Sequence, residues 1–131
     1  MIVVDTSALM AIVLDEPSAE ACMTAIARAD ALLISAGTVA DALVVADRRN
    51  VGEDMRDLID GLGFEVVPVS RASAERIAAA YDRWGKGIHR AALNLGDCYA
   101  YALARERACP LLFVGGDFGG TDITPALPTS A

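Results

Sequence analysis

Ile2-Val3-Val4-Asp5-Thr6-Ser7-Ala8-Leu9-Met10-Ala11-Ile12-Val13-Leu14 opens the chain, and its reading decides the fold. Three β-branched residues in succession, Ile2 to Val4, predict a short buried strand. Asp5-Thr6-Ser7 ends it, and the apolar run beyond predicts a helix through Leu14. A strand passing through a polar turn into a helix is the repeating unit of parallel α/β folds.

The alternation continues along the chain. Asp15-Glu16-Pro17 reads as a cap with Pro at the first helical position, opening a second helix to about Arg28. Leu32 to Ile34 form a second strand, and Ser35-Ala36-Gly37-Thr38 leads into a helix with Val39, Leu43 and Ala46 on one face. Met55, Leu58, Ile59 and Leu62 give a further helix over about Glu53 to Leu62. A third strand is predicted over Glu65 to Val69, and its Pro68 places it at a sheet edge. Ile77, Tyr81 and Trp84 mark a helix from Ala72 to Trp84, followed by a flexible, basic loop, Gly85 to Arg90. Asn94 to Arg107 form the last long helix, Leu111 to Val114 a fourth strand, and a fifth is placed near Ile123. The tail after Thr124 is expected to fray.

Composition sets the bounds. With 131 residues, 54% of them hydrophobic, and a mean hydropathy of +0.40, the chain reads as one domain, 1–131, with a sizeable core and no disorder. The longest apolar run near the start, Ala8 to Leu14, is seven residues, too short to span a bilayer. No basic segment precedes it, so a cytoplasmic location is expected, without a membrane partner. Cys22, Cys98 and Cys109 are an odd count without CxxC spacing, which reads as reduced thiols and not as a disulfide or zinc framework. The net charge of −7 argues, on its face, against a nucleic-acid partner. Yet twelve of the eighteen acids are Asp, and several stand beside apolar runs instead of on charged helix faces.

Four of these acids occupy equivalent topological positions. Asp5 follows the first strand, Asp41 lies in the opening turn of the helix after the second, Asp97 lies in the first turns of the last long helix, and Asp117 follows the fourth strand. In a parallel sheet the strand C-termini and the following helix N-termini share one edge, where ligands bind at the reversal of strand order. Neighbouring first and fourth strands would put Asp5 and Asp117 in one crevice, flanked by Asp41 and Asp97. An oxygen-only carboxylate cluster selects a hard cation such as Mg²⁺ or Mn²⁺. Each acid also has a purely local reading: Asp5 and Asp97 as helix N-caps, Asp41 in a capping box with Thr38, Asp117 as a turn residue.

The opening Ile2 to Leu9 resembles that of PIN-domain ribonucleases, and more closely the VapC toxins of bacterial toxin–antitoxin pairs. Lys86-Gly87-Ile88-His89-Arg90-Ala91-Ala92-Leu93-Asn94-Leu95-Gly96-Asp97-Cys98, running on through Tyr101 to Ala104, is a second matching block. Pro110-Leu111-Leu112-Phe113-Val114-Gly115-Gly116-Asp117-Phe118, then Thr121-Asp122-Ile123, is a third. The resemblance spans the chain and implies an α/β, PIN-like fold: a parallel sheet of four to five strands in the order 3-2-1-4-5, flanked by helices. It implies that Asp5, Asp41, Asp97 and Asp117 hold Mg²⁺ or Mn²⁺ and that the protein is an endoribonuclease toxin leaving 5′-phosphate and 3′-hydroxyl ends. A VapB-type antitoxin and a homodimer follow as expected partners. Two departures stand out: Asp41 replaces the usual Glu, and Val114-Gly115-Gly116 stands where relatives often carry a Lys or another acid.

The supporting residues follow from placement. Asn94 lies three residues before Asp97 on the same helical face and can hold its carboxylate or a water, while Ser7 and Thr6 can do the same for Asp5. The chain's one Lys, one Trp and one His fall between Trp84 and Arg90, joined by Arg83 and Arg90 in one positive patch. Lys86, His89 and Arg90 are therefore the expected RNA contacts, with Arg83 as readily a solvated surface residue and Trp84 kept as core. A bound cation would arm water against the phosphodiester without a side-chain nucleophile. Receiver-like and dehalogenase-like phosphotransfer sites fit poorly, because no Lys follows Lys86 and Ser7 stands where a second Asp is required. The competing reading is a PIN fold silenced by the short Asp41 and kept for antitoxin binding.

Overall fold

In the computed structural model, which describes residues 1–128, β1 (Ile2–Val4) is central in a parallel sheet. It pairs with β2 (Leu32–Ser35) on one side and β4 (Leu111–Leu112) on the other, and β3 (Glu65–Val67) lies outside β2. The order is therefore 3-2-1-4, with β1 and β4 adjacent at the reversal. The fifth strand reduces to one parallel bridge, Leu111 with Pro125.

Alternation along these short strands divides the core in two. Val3, Leu33 and Leu111 face one side, against α5 (Arg71–Trp84) and α6 (Leu95–Arg107). Val4, Ile34 and Leu112 face the other, against α1 (Thr6–Val13), α2 (Ala19–Arg28), α3 (Ala36–Arg48) and α4 (Gly52–Leu62). A sheet covered on both faces needs apolar residues at successive positions, which is why β1 and β4 show no polar alternation. All six of those strand residues are at most 2% exposed, so the sheet is a rigid floor for its C-terminal edge. Among the described residues, no helix is long and apolar enough to cross a membrane.

Several boundaries differ from the sequence expectations for local reasons. Asp15 takes a positive φ of 52°, and α2 begins at Ala19, two residues after Pro17. β3 ends at Val67, so Pro68 lies just beyond an edge strand instead of within it. The fourth strand is two residues long because Phe113 and Val114 turn away toward a 3₁₀ turn, Asp117–Gly120. The segment after Thr124 is held in place: the Leu111 N–H donates to the Thr124 carbonyl at 2.9 Å, and the Ala126 N–H donates to the Leu111 carbonyl at 2.9 Å. Ala126 and Leu127 pack on the α1–α4 side of the core, while the last part of that expectation, 129–131, lies outside the described residues. Cys22, Cys98 and Cys109 are free thiols, the first two buried.

Candidate active site

The β1 turn builds the first half of the site. Asp5 is the N-cap of α1: its Oδ2 accepts from the Ser7 backbone N–H at 3.0 Å and from the Ser7 hydroxyl at 2.7 Å. Ser7 Oγ in turn accepts from the Val114 N–H at 3.0 Å, and the Asp5 N–H donates to the Leu112 carbonyl at 2.9 Å. The cap of α1 is thereby tied to the end of β4. Only one carboxylate oxygen is spent in this way. Asp5 Oδ1 is buried and has no hydrogen-bond partner.

The second half comes from α6. Asn94 and Asp97 form a reciprocal capping box. Asn94 Oδ1 accepts from the Asp97 N–H at 2.8 Å, and Asp97 Oδ2 accepts from the Asn94 N–H at 3.0 Å. It is thus the Asn94 backbone, and not its side chain, that holds the Asp97 carboxylate. The Asn94 side chain is occupied in opening the helix.

Asp41 is placed by tertiary contacts. It sits in the second turn of α3, whose N-cap is Ser35, so the capping box expected between Thr38 and Asp41 does not form. Thr38 is instead fully buried and its hydroxyl is unpaired. Thr6, expected to support Asp5, donates to Asp41 Oδ2 at 2.7 Å. The Asp41 carboxylate lies against Gly96 at the start of α6: a Cβ added there would fall 2.8 Å from Asp41 Oδ2. Gly96 is therefore part of the site, and the only sequence signal for it was a glycine immediately preceding an acid.

Electrostatics join the acids. Burial drives the Asp5 carboxyl up to about 7 against the lowering bonds from Ser7, and the charges of Asp97 and Asp41 add to the rise. Burial likewise lifts Asp97 to about 6, opposed by the Asn94 N–H and reinforced by Asp117 and Asp41. Asp97 is the hub of this set. Asp117, at the first position of the 3₁₀ turn, is exposed and forms the rim instead of sharing the crevice floor with Asp5. Among the described residues, no three Asp, Glu, His or Cys side chains stand close enough to ligate one ion as they lie.

The loop expected to be flexible and basic is cross-braced. Lys86 N–H donates to the Leu93 carbonyl at 2.9 Å, Leu93 N–H to the Trp84 carbonyl at 3.0 Å, and His89 N–H to the Gly85 carbonyl at 3.0 Å. His89 Nδ1 accepts from the Ala91 N–H at 3.0 Å, and its ring meets Trp84 edge-on at 4.8 Å. His89 is thus engaged in shaping the loop, whereas Lys86 and Arg90 are exposed. Trp84 is buried, as expected of a core residue. A cavity of about 790 Å³ lies elsewhere, between α2, the start of β1 and residues 126–128.

Comparison with known proteins agrees with this architecture. The PIN domain profile matches residues 2–123. Ribonuclease VapC28 of Mycobacterium tuberculosis is 41% identical over 129 residues, covering 95% of this chain and 97% of that protein. The crystal structure of Mycobacterium tuberculosis VapC20, described as a sarcin–ricin loop cleaving toxin, superposes with a TM-score of 0.77 at 15% identity, over 95% of this chain and 97% of that one. A toxin–antitoxin complex from Klebsiella pneumoniae contains a chain matching at a TM-score of 0.70 and 21% identity, over 93% of each. By sequence and by fold together, this chain belongs to the PIN domain family and to its VapC branch.

Proposed function

We propose that the protein is a divalent-metal-dependent endoribonuclease, the toxin of a toxin–antitoxin pair. The observation that carries this reading is a buried carboxylate oxygen without a partner, Asp5 Oδ1, with Asp5 and Asp97 both raised in proton affinity by burial and by the charges of neighbouring carboxylates. Mutual repulsion in a half-buried crevice calls for a cation, and an all-oxygen donor set suits Mg²⁺ or Mn²⁺. Asp5 and Asp97 would hold it from the floor and Asp41 from the flank, with exposed Asp117 free to rotate in from the rim. When bound, the cation supplies charge neutralisation at the scissile phosphate and acidifies water to serve as nucleophile.

The remaining work falls to the chain. Ser7 and the Asn94 N–H each occupy one oxygen of Asp5 and Asp97, fixing their orientation and leaving the other oxygen free. Thr6 anchors Asp41, whose shorter side chain reaches the α6 N-terminus over the bare backbone of Gly96. VapC28, at 41% identity, is named a ribonuclease, which supports RNA as the substrate class. Membership of the VapC branch, together with a fold shared with a chain of a toxin–antitoxin complex, supports a VapB-type partner, and a homodimer belongs to the same proposal.

The test is cleavage of total RNA by the purified chain with Mg²⁺, Mn²⁺ or EDTA. Cleavage is expected with either metal, to be lost in EDTA, and to fall by more than about 100-fold in Asp97→Asn, since losing even a supporting partner of a metal ligand costs about 10–100-fold. A second reading, an inactive module kept for antitoxin binding, draws on the spread of the carboxylates. Activity confined to Asp41→Glu would favour it, and inactivity of both proteins with antitoxin capture intact would end the nuclease proposal.

A further inference from the structure

The charge of the chain is strongly segregated. Residues 71–107, which make up α5, the braced loop and α6, carry seven of the eleven Lys and Arg but only four of the eighteen acids. On the outer side of α5 and α6 runs a groove of about 350 Å³, with Trp84 and Tyr101 in its floor and Arg76, Arg83 and Arg105 along its walls. The three arginines remain half or more exposed.

Their arrangement is built. Tyr101 OH accepts from Trp84 Nε1 at 2.9 Å and donates to Asp122 Oδ1 at 2.6 Å. Asp122 Oδ2 then faces Arg83 and Arg105, each at 3.7 Å. That separation orients both guanidinium groups but exceeds hydrogen-bond length, so their forked N–H donors are unspent by Asp122. Arg83 also stacks on Trp84, 4.4 Å from the ring, which holds it flat with its outer face open. Planar, pre-oriented guanidinium groups with free donors suit phosphodiester oxygens.

The groove shares helix α6 with the acid cluster. Asp97, Tyr101 and Arg105 recur at four-residue intervals on α6, so Arg105 stands roughly 12 Å along the helix axis from Asp97. The segment that carries Asp117 at the rim of the cluster carries Asp122 at the arginines, five residues on.

We infer that the α5–α6 groove is a second RNA subsite, in which Arg83 and Arg105, aligned by Asp122, grip backbone phosphates a few nucleotides from the bond at Asp97. The inference rests on the nuclease reading for the identity of the polyanion, and its test separates the two. A short fluorescein-labelled single-stranded RNA is titrated in EDTA, which suppresses turnover, at several salt concentrations, with folding of every variant checked by circular dichroism. Each lost phosphate contact on a single strand lowers the slope of log affinity against log salt by about 0.7. Arg83→Ala/Arg105→Ala is expected to lower it by about 1.4, and Arg83→Lys/Arg105→Lys, which keeps the charges, by much less. Arg83→Ala and Arg105→Ala made singly, each expected to lower the slope by about 0.7, carry the test where the double variant does not fold. An unchanged slope in folded variants overturns the inference, as does displacement of the RNA from wild-type protein and from the double variant alike by poly-glutamate. Groove-dependent RNA binding without cleavage in metal keeps the inference and removes the nuclease reading; cleavage with an unaltered slope does the reverse.

Discussion

Replacing Asp5 by Asn should make the metal-free protein more stable at pH 8 and less stable at pH 4. Asp5 is 3% exposed, and burial raises its carboxyl from 3.8 to about 7. Between those values the folded state binds more protons than the unfolded state, so stability falls as pH rises through the window. A tenfold change in proton affinity is worth about 1.4 kcal/mol, so holding Asp5 ionised at pH 8 costs the fold roughly 4 kcal/mol. Asn removes the charge and still offers an oxygen to both Ser7 donors. Its amide then lies where Oδ1 has no partner, and an unmet buried donor costs about 1–3 kcal/mol. The variant should therefore gain roughly 1–3 kcal/mol at pH 8 and lose a comparable amount at pH 4. Urea unfolding in EDTA across that range measures it. Asp97, raised to about 6, leaves the variant with a shallower pH dependence of the same sign. Equal destabilisation at pH 4 and pH 8 would refute the argument, because Asp5 would then carry no burial-driven penalty.

Further expectations address neighbouring contacts. Mn²⁺ should raise the unfolding midpoint of the wild type more at pH 8 than at pH 5, and much less in Asp5→Asn, as thermal melts would show. Gly96→Ala should leave helix α6 unharmed, or up to about 1 kcal/mol more stable, yet lower RNA cleavage, because the new methyl displaces the Asp41 carboxylate. Comparing melting temperature with turnover separates the two effects. Thr6→Val removes the 2.7 Å bond to Asp41 and should weaken Mn²⁺ binding by about 10–100-fold, measured by calorimetry. Leu112→Ala, at a fully buried position between β1 and the α1–α4 layer, should cost about 2–5 kcal/mol in urea unfolding.

The fold was legible because its signals are local. Ile2 to Val4, Leu32 to Ile34 and the helical spacing of Met55 to Leu62 reported strands and helices that formed close to where they were expected. The placement of β1 beside β4, which the structure shows, was not legible in either strand alone: the convergence of the acids only supposed it, and the strand order came from the family resemblance. What escaped the sequence depends on side chains meeting across long separations. Thr6 reaches Asp41 instead of its neighbour Asp5, and Ser7 reaches the backbone of Val114, 107 residues away. The link from Tyr101 to Asp122 belongs to the same class. The start of the tail, residues 125–127, was misjudged because its composition suggested solvent, while Leu111 offered it a backbone to pair with. Local capping leaves room for a chemical role: Asp5 is the N-cap of α1, while Asp97, expected as an N-cap, instead closes the capping box begun by Asn94, and each devotes one oxygen to that task.

That double duty bears on how such proteins age. Asn caps a helix about as well as Asp, and the N-cap of α6 is already Asn94, so exchanging Asp5 or Asp97 for its amide would erase the proposed reactive centre while leaving both helix N-caps in place. Lineages under pressure to disarm this chain therefore have a one-step exit that costs little folding competence. The relics would be well-formed shells, still able to titrate a partner away from active copies.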